Sequence, residues 1–344
     1  MSRVRVLVTG ASGFVGRHLC ASLERRRSVS VIAVDLVPPP PGDATAFVRA
    51  DVGASKAVAE LLREHAPTHI VHLAGGRGGG SLASALRANL RPTVTLLESV
   101  REHAPGAIVL VVGSAAEYGE VPRESLPVSE TFACAPTTSY GLAKLLGTQV
   151  ALHHWRRHRV RAMVVRPFQL LGAGISSDLA PGAFAAQIRA AVTRGERTVR
   201  VGNLEPGRDF IDVRDAVRAM WCLCRRPAPG EVFNLCSGVA TPMRALLEAM
   251  LRTAGGEWRV EVDAARLRGA WDPGTSCGSP EKIRAHCGWR PRVPLTASVA
   301  ALLRAPANDR RYAGATVSRR EFPRTAMRDG RRTRRRRVAA AVPD

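Results

Sequence analysis

Short apolar runs alternate with amphipathic stretches through the first half of the chain. Arg3 to Val8, Val29 to Val34, Ile70 to Leu73 and Ala107 to Val112 are apolar over strand length and read as buried parallel strands. Between them, Phe14 to Arg27, Ser55 to His65 and Leu82 to Glu102 repeat their apolar positions at helical spacing. A further helix from Thr138 to Arg157 leads into another strand, Val160 to Arg166. Such alternation predicts an α/β fold with a doubly wound parallel sheet and right-handed crossovers. The segment Pro38 to Gly42 suits only an exposed connection.

After Pro167 the pattern loosens. Helices are expected at Pro181 to Arg194, Val213 to Cys224, Pro242 to Thr253 and Leu295 to Leu303, with short strands between. These would form a smaller C-terminal α/β lobe for a substrate. The expected division is 1–166 for the large sheet domain, 167–304 for a lobe interleaved with it, and 305–344 for a disordered basic tail.

Composition adds limits. Apolar residues make up 45% of 344, enough for a sizeable core, yet no run approaches the roughly 18 that a membrane span needs. The chain passes from Met1-Ser2-Arg3 directly into a strand, so no membrane partner and a cytoplasmic location are expected. Seven scattered cysteines without a CxxC pair predict buried thiols rather than a zinc site or disulfide framework, and no metal. The net charge is +22, and residues 304–344, with 13 arginines and four acids, carry nine of those charges. The arginine excess over three lysines resembles the usage of a GC-rich genome. No nucleic-acid reading element accompanies it, so no nucleic-acid partner is expected. A basic body suits an anionic substrate.

The chemistry begins after the first strand, at Gly10-Ala11-Ser12-Gly13-Phe14-Val15-Gly16. Glycines there permit a tight turn, close approach to a pyrophosphate, and close helix–strand packing. The helix start then offers free N–H groups and the positive dipole end. Asp35, ending the second strand, suits a ribose hydroxyl and repels a 2′-phosphate. This combination is a Rossmann dinucleotide site and favours NAD, with NADP as the alternative.

Tyr140 and Lys144 are four apart on a helix and share a face, where the ammonium stabilises a phenolate. Ser114 ends the strand Val109 to Gly113, four residues before Tyr118. With the GxxGxxG loop, His72-Leu73-Ala74-Gly75 and Tyr140-Gly-Leu-Ala-Lys144, the chain resembles the extended short-chain dehydrogenase/reductase family from about Val4 to Leu303. That resemblance implies that Ser114, Tyr140, Lys144 and Asn89 form the catalytic set. It also implies that Asp51 and Val52 contact the adenine and that Leu73, Ala74 and Gly75 line the cofactor. A homodimer through the helix bearing the tyrosine is a further implication.

Within the family, 4,6-dehydratases carry acids where this chain has Ala115 and Ala116, so β-elimination lacks its base and acid. Strand alternation would turn Glu117 away from Ala116. The segment Val201 to Asp215 resembles that of GDP-sugar dehydratases and GDP-4-keto-6-deoxymannose reductases, in which the arginine matching Arg208 contacts the diphosphate. An ordinary salt bridge from Arg208 to Asp209 or Asp212 is the alternative. Ser114, Ala115, Tyr140, Arg208, Arg268 and Asp272 are the candidate substrate contacts. Ala185-Ala186 departs from that group, which has a basic residue near Gln187. The resemblance implies an NAD(P)H-dependent reductase of the C4 ketone of a nucleotide-activated 4-keto-6-deoxyhexose. A sugar-nucleotide 4-epimerase retaining NAD shares the catalytic set, and an NAD-sensing scaffold using the basic tail is a third reading.

Overall fold

The computed structural model describes residues 3–39, 46–76, 80–266 and 274–305. The chain opens with strand β1 (Val4–Thr9), helix α1 (Phe14–Glu24), β2 (Val29–Asp35), β3 (Ala46–Arg49), α2 (Ser55–His65) and β4 (His69–His72). Helix α3 (Leu82–Ala85) runs through a π-helical turn, Leu86–Leu90, into α4 (Arg91–His103), then β5 (Ile108–Val112). A 3₁₀ turn, Ala115–Glu117, precedes α5 (Ser139–His158), β6 (Arg161–Pro167), β7 (Gln169–Leu171), α6 (Ala180–Thr193) and β8 (Thr198–Val201). The rest is β9 (Gly207–Asp212), α7 (Val213–Arg225), β10 (Val232–Leu235), β11 (Ala240–Pro242), α8 (Met243–Ala254), β12 (Arg259–Val262), α9 (Glu281–Cys287) and α10 (Leu295–Arg304).

Among the described residues, seven strands pair in parallel in the order β10-β6-β5-β4-β1-β2-β3. Chain order reverses between β1 and β4, the switch point whose carboxyl-end crevice takes ligands in such sheets. Side-chain alternation divides the core. Val6 and Val8 of β1, Leu110 of β5 and Met163 and Val165 of β6 pack on the α1/α7 face. Leu7, Val109, Val111, Ala162 and Val164 pack on the α2/α4/α5 face. Both faces are dry, which is why these strands read as continuous apolar runs. A third cluster gathers α6, α8 and α10 against β7, β8 and β9. Smaller sheets there are β11-β9-β7 and the parallel pair β12-β8.

Some boundaries differ from expectation. Helix α1 stops at Glu24 rather than Arg27, because the arginine run turns back through Arg26 N–H to the Leu23 carbonyl and Val29 N–H to the Arg26 carbonyl. Leu82 to Glu102 is continuous but interrupted by the π turn. The Pro38 to Gly42 connection lies outside the described residues after Pro39, as does the basic tail after Ala305. No helix among the described residues is long and apolar enough to cross a membrane.

Candidate active site

The glycine loop joins β1 to α1 at the switch point. Gly10 has φ +71°, and a Cβ there would lie 2.8 Å from the Leu73 carbonyl carbon and the Ala74 nitrogen, so only glycine lets the two strand ends meet. A Cβ on Gly16 would lie 2.2 Å from the Gly10 carbonyl oxygen. Gly13 caps α1 with no side-chain hydrogen bond, and the first turn carries no acid. The first turn of α1 therefore sets no acid of its own against these N–H groups, which fits a pyrophosphate. Phe14 and Val15 begin the helix and pack their half-buried side chains on the core.

Asp35 is buried at the end of β2. Its carboxylate accepts from Ser12 N–H at 3.0 Å and from Leu36 N–H at 2.7 Å, tying the acid to the loop. The Ser12 hydroxyl donates to the Val37 carbonyl at 2.6 Å. Val52 is buried beside exposed Asp51, whose carboxylate accepts from Gly53 N–H at 2.8 Å. These residues fit an adenosine ribose without a 2′-phosphate. Asp35→Asn removes the charge and keeps an acceptor for Ser12. It is expected to raise kcat/KM for NADPH relative to NADH by about tenfold, roughly 1.4 kcal/mol of relieved repulsion. Initial rates with the two cofactors measure this.

Leu73, Ala74 and Gly75 continue β4. Leu73 N–H donates to the Thr9 carbonyl at 3.1 Å and Ala74 N–H to the Thr9 hydroxyl at 3.2 Å. Gly75 has φ +153°, and its missing Cβ would lie 2.6 Å from Asn89 Oδ1 and 3.5 Å from Lys144 Nζ, which places the three residues together. Asn89 sits in the π turn and is buried. It accepts from Gly76 N–H at 3.2 Å and donates to the Gly76 carbonyl at 2.7 Å and the Ala85 carbonyl at 2.9 Å. Helical periodicity carries no sign of the π turn, which adds a residue where Asn89 sits.

Lys144 Nζ lies 6.0 Å from the Tyr140 ring centroid and donates to the Val112 carbonyl at 2.9 Å. Both side chains are half-buried on α5, whose N-terminus is capped by Thr138. A Cβ on Gly141 would lie 2.3 Å from the Ala116 carbonyl oxygen, so the helix start rests directly on the turn carrying Ser114 and Ala115. The Ser114 hydroxyl accepts from Ala116 N–H at 3.1 Å. Capping and catalysis are compatible, because an accepting hydroxyl keeps its O–H to donate.

Three residues near the set were missed in the sequence. Buried His72 touches the Thr9 hydroxyl at 2.8 Å through Nδ1 and the Thr93 hydroxyl at 3.1 Å through Nε2. Thr148 and Arg166 both bind Glu117, at 2.8 Å each. Tyr118 lies close by in sequence but is buried, with its hydroxyl donating to Asn234 Oδ1 at 2.7 Å and its phenol pushed up to about 12 by burial. It is a structural tyrosine.

In the second half, Arg208 donates to the Gly207 carbonyl at 2.9 Å and the Gly274 carbonyl at 2.7 Å. The neighbouring acids Asp209 and Asp212 also accept other hydrogen bonds. Asp209 accepts from Ser237 and from Gly238 N–H and Gly278 N–H, and Asp212 from Arg214 and Ser298. Gln187 bridges α6 to β8 through both backbone groups of Arg200. Arg268 and Asp272 lie outside the described residues.

Residues 6–236 match the NAD dependent epimerase/dehydratase family. The chain belongs to that family. GDP-6-deoxy-D-mannose reductase from Pseudomonas aeruginosa is 30% identical, over 87% of this chain and 96% of that protein. The dTDP-6-deoxy-L-talose 4-dehydrogenase (NAD(P)(+)) of Kitasatospora kifunensis is also 30% identical, over 86% of this chain and 93% of its own length. The structure of RMD from Pseudomonas aeruginosa complexed with NADPH superposes with a TM-score of 0.77 at 28% identity, covering 88% of this chain and 96% of that one. As a family member the chain is an NAD(P)-dependent enzyme on a Rossmann fold.

Proposed function

We propose that this epimerase/dehydratase family member reduces the C4 ketone of a nucleotide-activated 4-keto-6-deoxyhexose with NADH or NADPH. The reading is carried by the fate of Glu117, the one carboxylate between Ser114 and Tyr118. It is fully buried, with Oε1 accepting from Ser114 N–H at 2.9 Å and Oε2 from Thr148 and Arg166. The segment is a 3₁₀ turn rather than the strand assumed from alternation, and a capping box turns the acid inward. Among the described residues, the turn at Ser114 therefore offers hydroxyls and an ammonium, but no accessible carboxylate for β-elimination. Both relatives are named for nucleotide-activated 6-deoxyhexoses, which supports this substrate class.

A nicotinamide dinucleotide, held by the glycine loop and Asp35, would supply a hydride for C4. Tyr140 gives its proton to the C4 oxygen as charge develops there. The Ser114 hydroxyl donates to the same oxygen and fixes its position. Lys144, held by the Val112 carbonyl, stabilises the phenolate left on Tyr140, and Asn89 holds the Gly75–Gly76 backbone beside it. Arg208 supplies a guanidinium for the nucleotide diphosphate.

The purified chain with NADH or NADPH is expected to oxidise the cofactor in step with consumption of a TDP-, GDP-, CDP- or UDP-linked 4-keto-6-deoxyhexose. Absorbance of the reduced cofactor reports this. Inverted C4 stereochemistry without net cofactor oxidation would identify an epimerase, and silence across the panel would sink the reductase reading.

A further inference from the structure

Glu117 does more than bury a carboxylate beside Ser114. Tyr140, Lys144 and Thr148 stand four apart on α5 and form one stripe along the same face. The first two reach the reacting end of the site, and the third donates to Glu117 Oε2 at 2.8 Å. Glu117 Oε1 accepts from Ser114 N–H at 2.9 Å. One carboxylate thus spans from the serine backbone to the helix bearing the tyrosine and lysine.

The surroundings are shaped around it. A Cβ on Gly113 would lie 2.2 Å from Glu117 Oε1, so only glycine leaves that oxygen room. Arg166 Nε holds Oε2 at 2.8 Å, with its guanidinium carbon 4.8 Å from the Tyr118 ring centroid. The Tyr118 hydroxyl continues to Asn234, whose Nδ2–H donates to the Val128 carbonyl at 2.9 Å. The ion pair is buried on both sides. Burying two charges seldom adds stability over apolar residues of the same shape, so stability is a weak reason for the pair.

We propose that Glu117 is a positioning residue, a carboxylate bracket that sets the distance between Ser114 on its turn and Tyr140 and Lys144 on α5. The proposal rests on the catalytic reading of those three residues. A proton donor and an oxygen-holding hydroxyl must converge on one substrate oxygen, and a misplacement of about 1 Å costs on the order of 100-fold in rate. The turn meets α5 where the Ala116 carbonyl rests on Gly141 and where the Glu117 carboxylate accepts from the Thr148 hydroxyl.

The test compares the full-length wild type with Thr148→Val, Glu117→Gln and the double variant Glu117→Gln/Arg166→Met. Thr148→Val cuts the tie to α5 and keeps the ion pair. The double variant removes the arginine charge that the glutamine would leave unpaired. Thr148→Val and Glu117→Gln are expected to lower kcat by roughly tenfold or more, with KM for the cofactor within about twofold. The double variant is expected to regain thermal stability without regaining kcat. In Glu117→Gln the Ser114 amide should exchange hydrogen faster than in wild type. Wild-type kcat in Thr148→Val, or kcat recovering together with stability in the double variant, would overturn the proposal. If wild type reduces none of the keto sugar nucleotides, the substrate reading alone fails. The bracket is then decided with NAD bound, where unchanged Ser114 amide protection in Glu117→Gln rejects it.

Discussion

Replacing Tyr140 with phenylalanine is expected to lower kcat by about 10² to 10⁴-fold while cofactor affinity stays near wild type, because the variant deletes the proposed proton donor and nothing else. The phenol is half-buried, so losing its oxygen leaves no sealed polar partner and the fold should be unchanged. Lys144 keeps its bond to the Val112 carbonyl, and Ser114 keeps its cap on Ala116. With those groups in place, the residual rate measures hydride transfer without a positioned acid. Tyr118→Phe makes the control. Its hydroxyl bonds Asn234 inside the core, so its removal is expected to cost stability, on the order of 1–3 kcal/mol, with kcat largely retained. Initial-rate kinetics and denaturant unfolding of both variants read the contrast. A Tyr140→Phe enzyme with wild-type kcat would reject the assigned proton donor and revive a non-catalytic, NAD-sensing role.

The elements most visible in the sequence were those whose burial follows a simple period. Strands covered on both faces are continuous apolar runs, and helices against them keep a stripe, so β1, β2, β4, β5 and β6 and the helices between them emerge within a few residues. Strand β3 did not, since its four residues at the sheet edge are half-buried or exposed and lack a dry face. The small strands β7, β9 and β11 are defined by pairing between distant segments, which no local pattern carries.

The glycine loop and the Tyr140–Lys144 pair were legible because each places its chemistry at fixed local spacing. Glu117 shows the opposite case. Strand alternation would turn it away from Ala116, whereas the chain there is a capped 3₁₀ turn that buries the acid. Its partners Thr148 and Arg166 lie 31 and 49 residues away, beyond any spacing rule. The four-residue step from Lys144 to Thr148 was the available signal, and it gains meaning only once the serine turn is seen against that face.

His72 belongs to the same class of long-range contacts and has the larger thermodynamic consequence. Burial, with the Lys144 ammonium adding to it, pushes its imidazole down to about 3. An unfolded histidine titrates near 6.5. Above that pH both states hold the neutral ring, and the contribution to stability is fully present. As pH falls from about 6.5 toward 3, the unfolded chain binds a proton that the folded chain refuses, so stability drops by about 1.4 kcal/mol per pH unit, or about 2 kcal/mol by pH 5. His72→Asn removes this titration while leaving a neutral side chain between Thr9 and Thr93. Unfolding free energies at pH 7 and pH 5 should therefore fall by about 2 kcal/mol more in wild type than in the variant, whatever the variant costs at pH 7. Equal losses would show that the ring accepts its proton in the folded state. The hydrogen bonds joining the glycine-loop strand to α4 would then have to survive a charged imidazole beside Lys144.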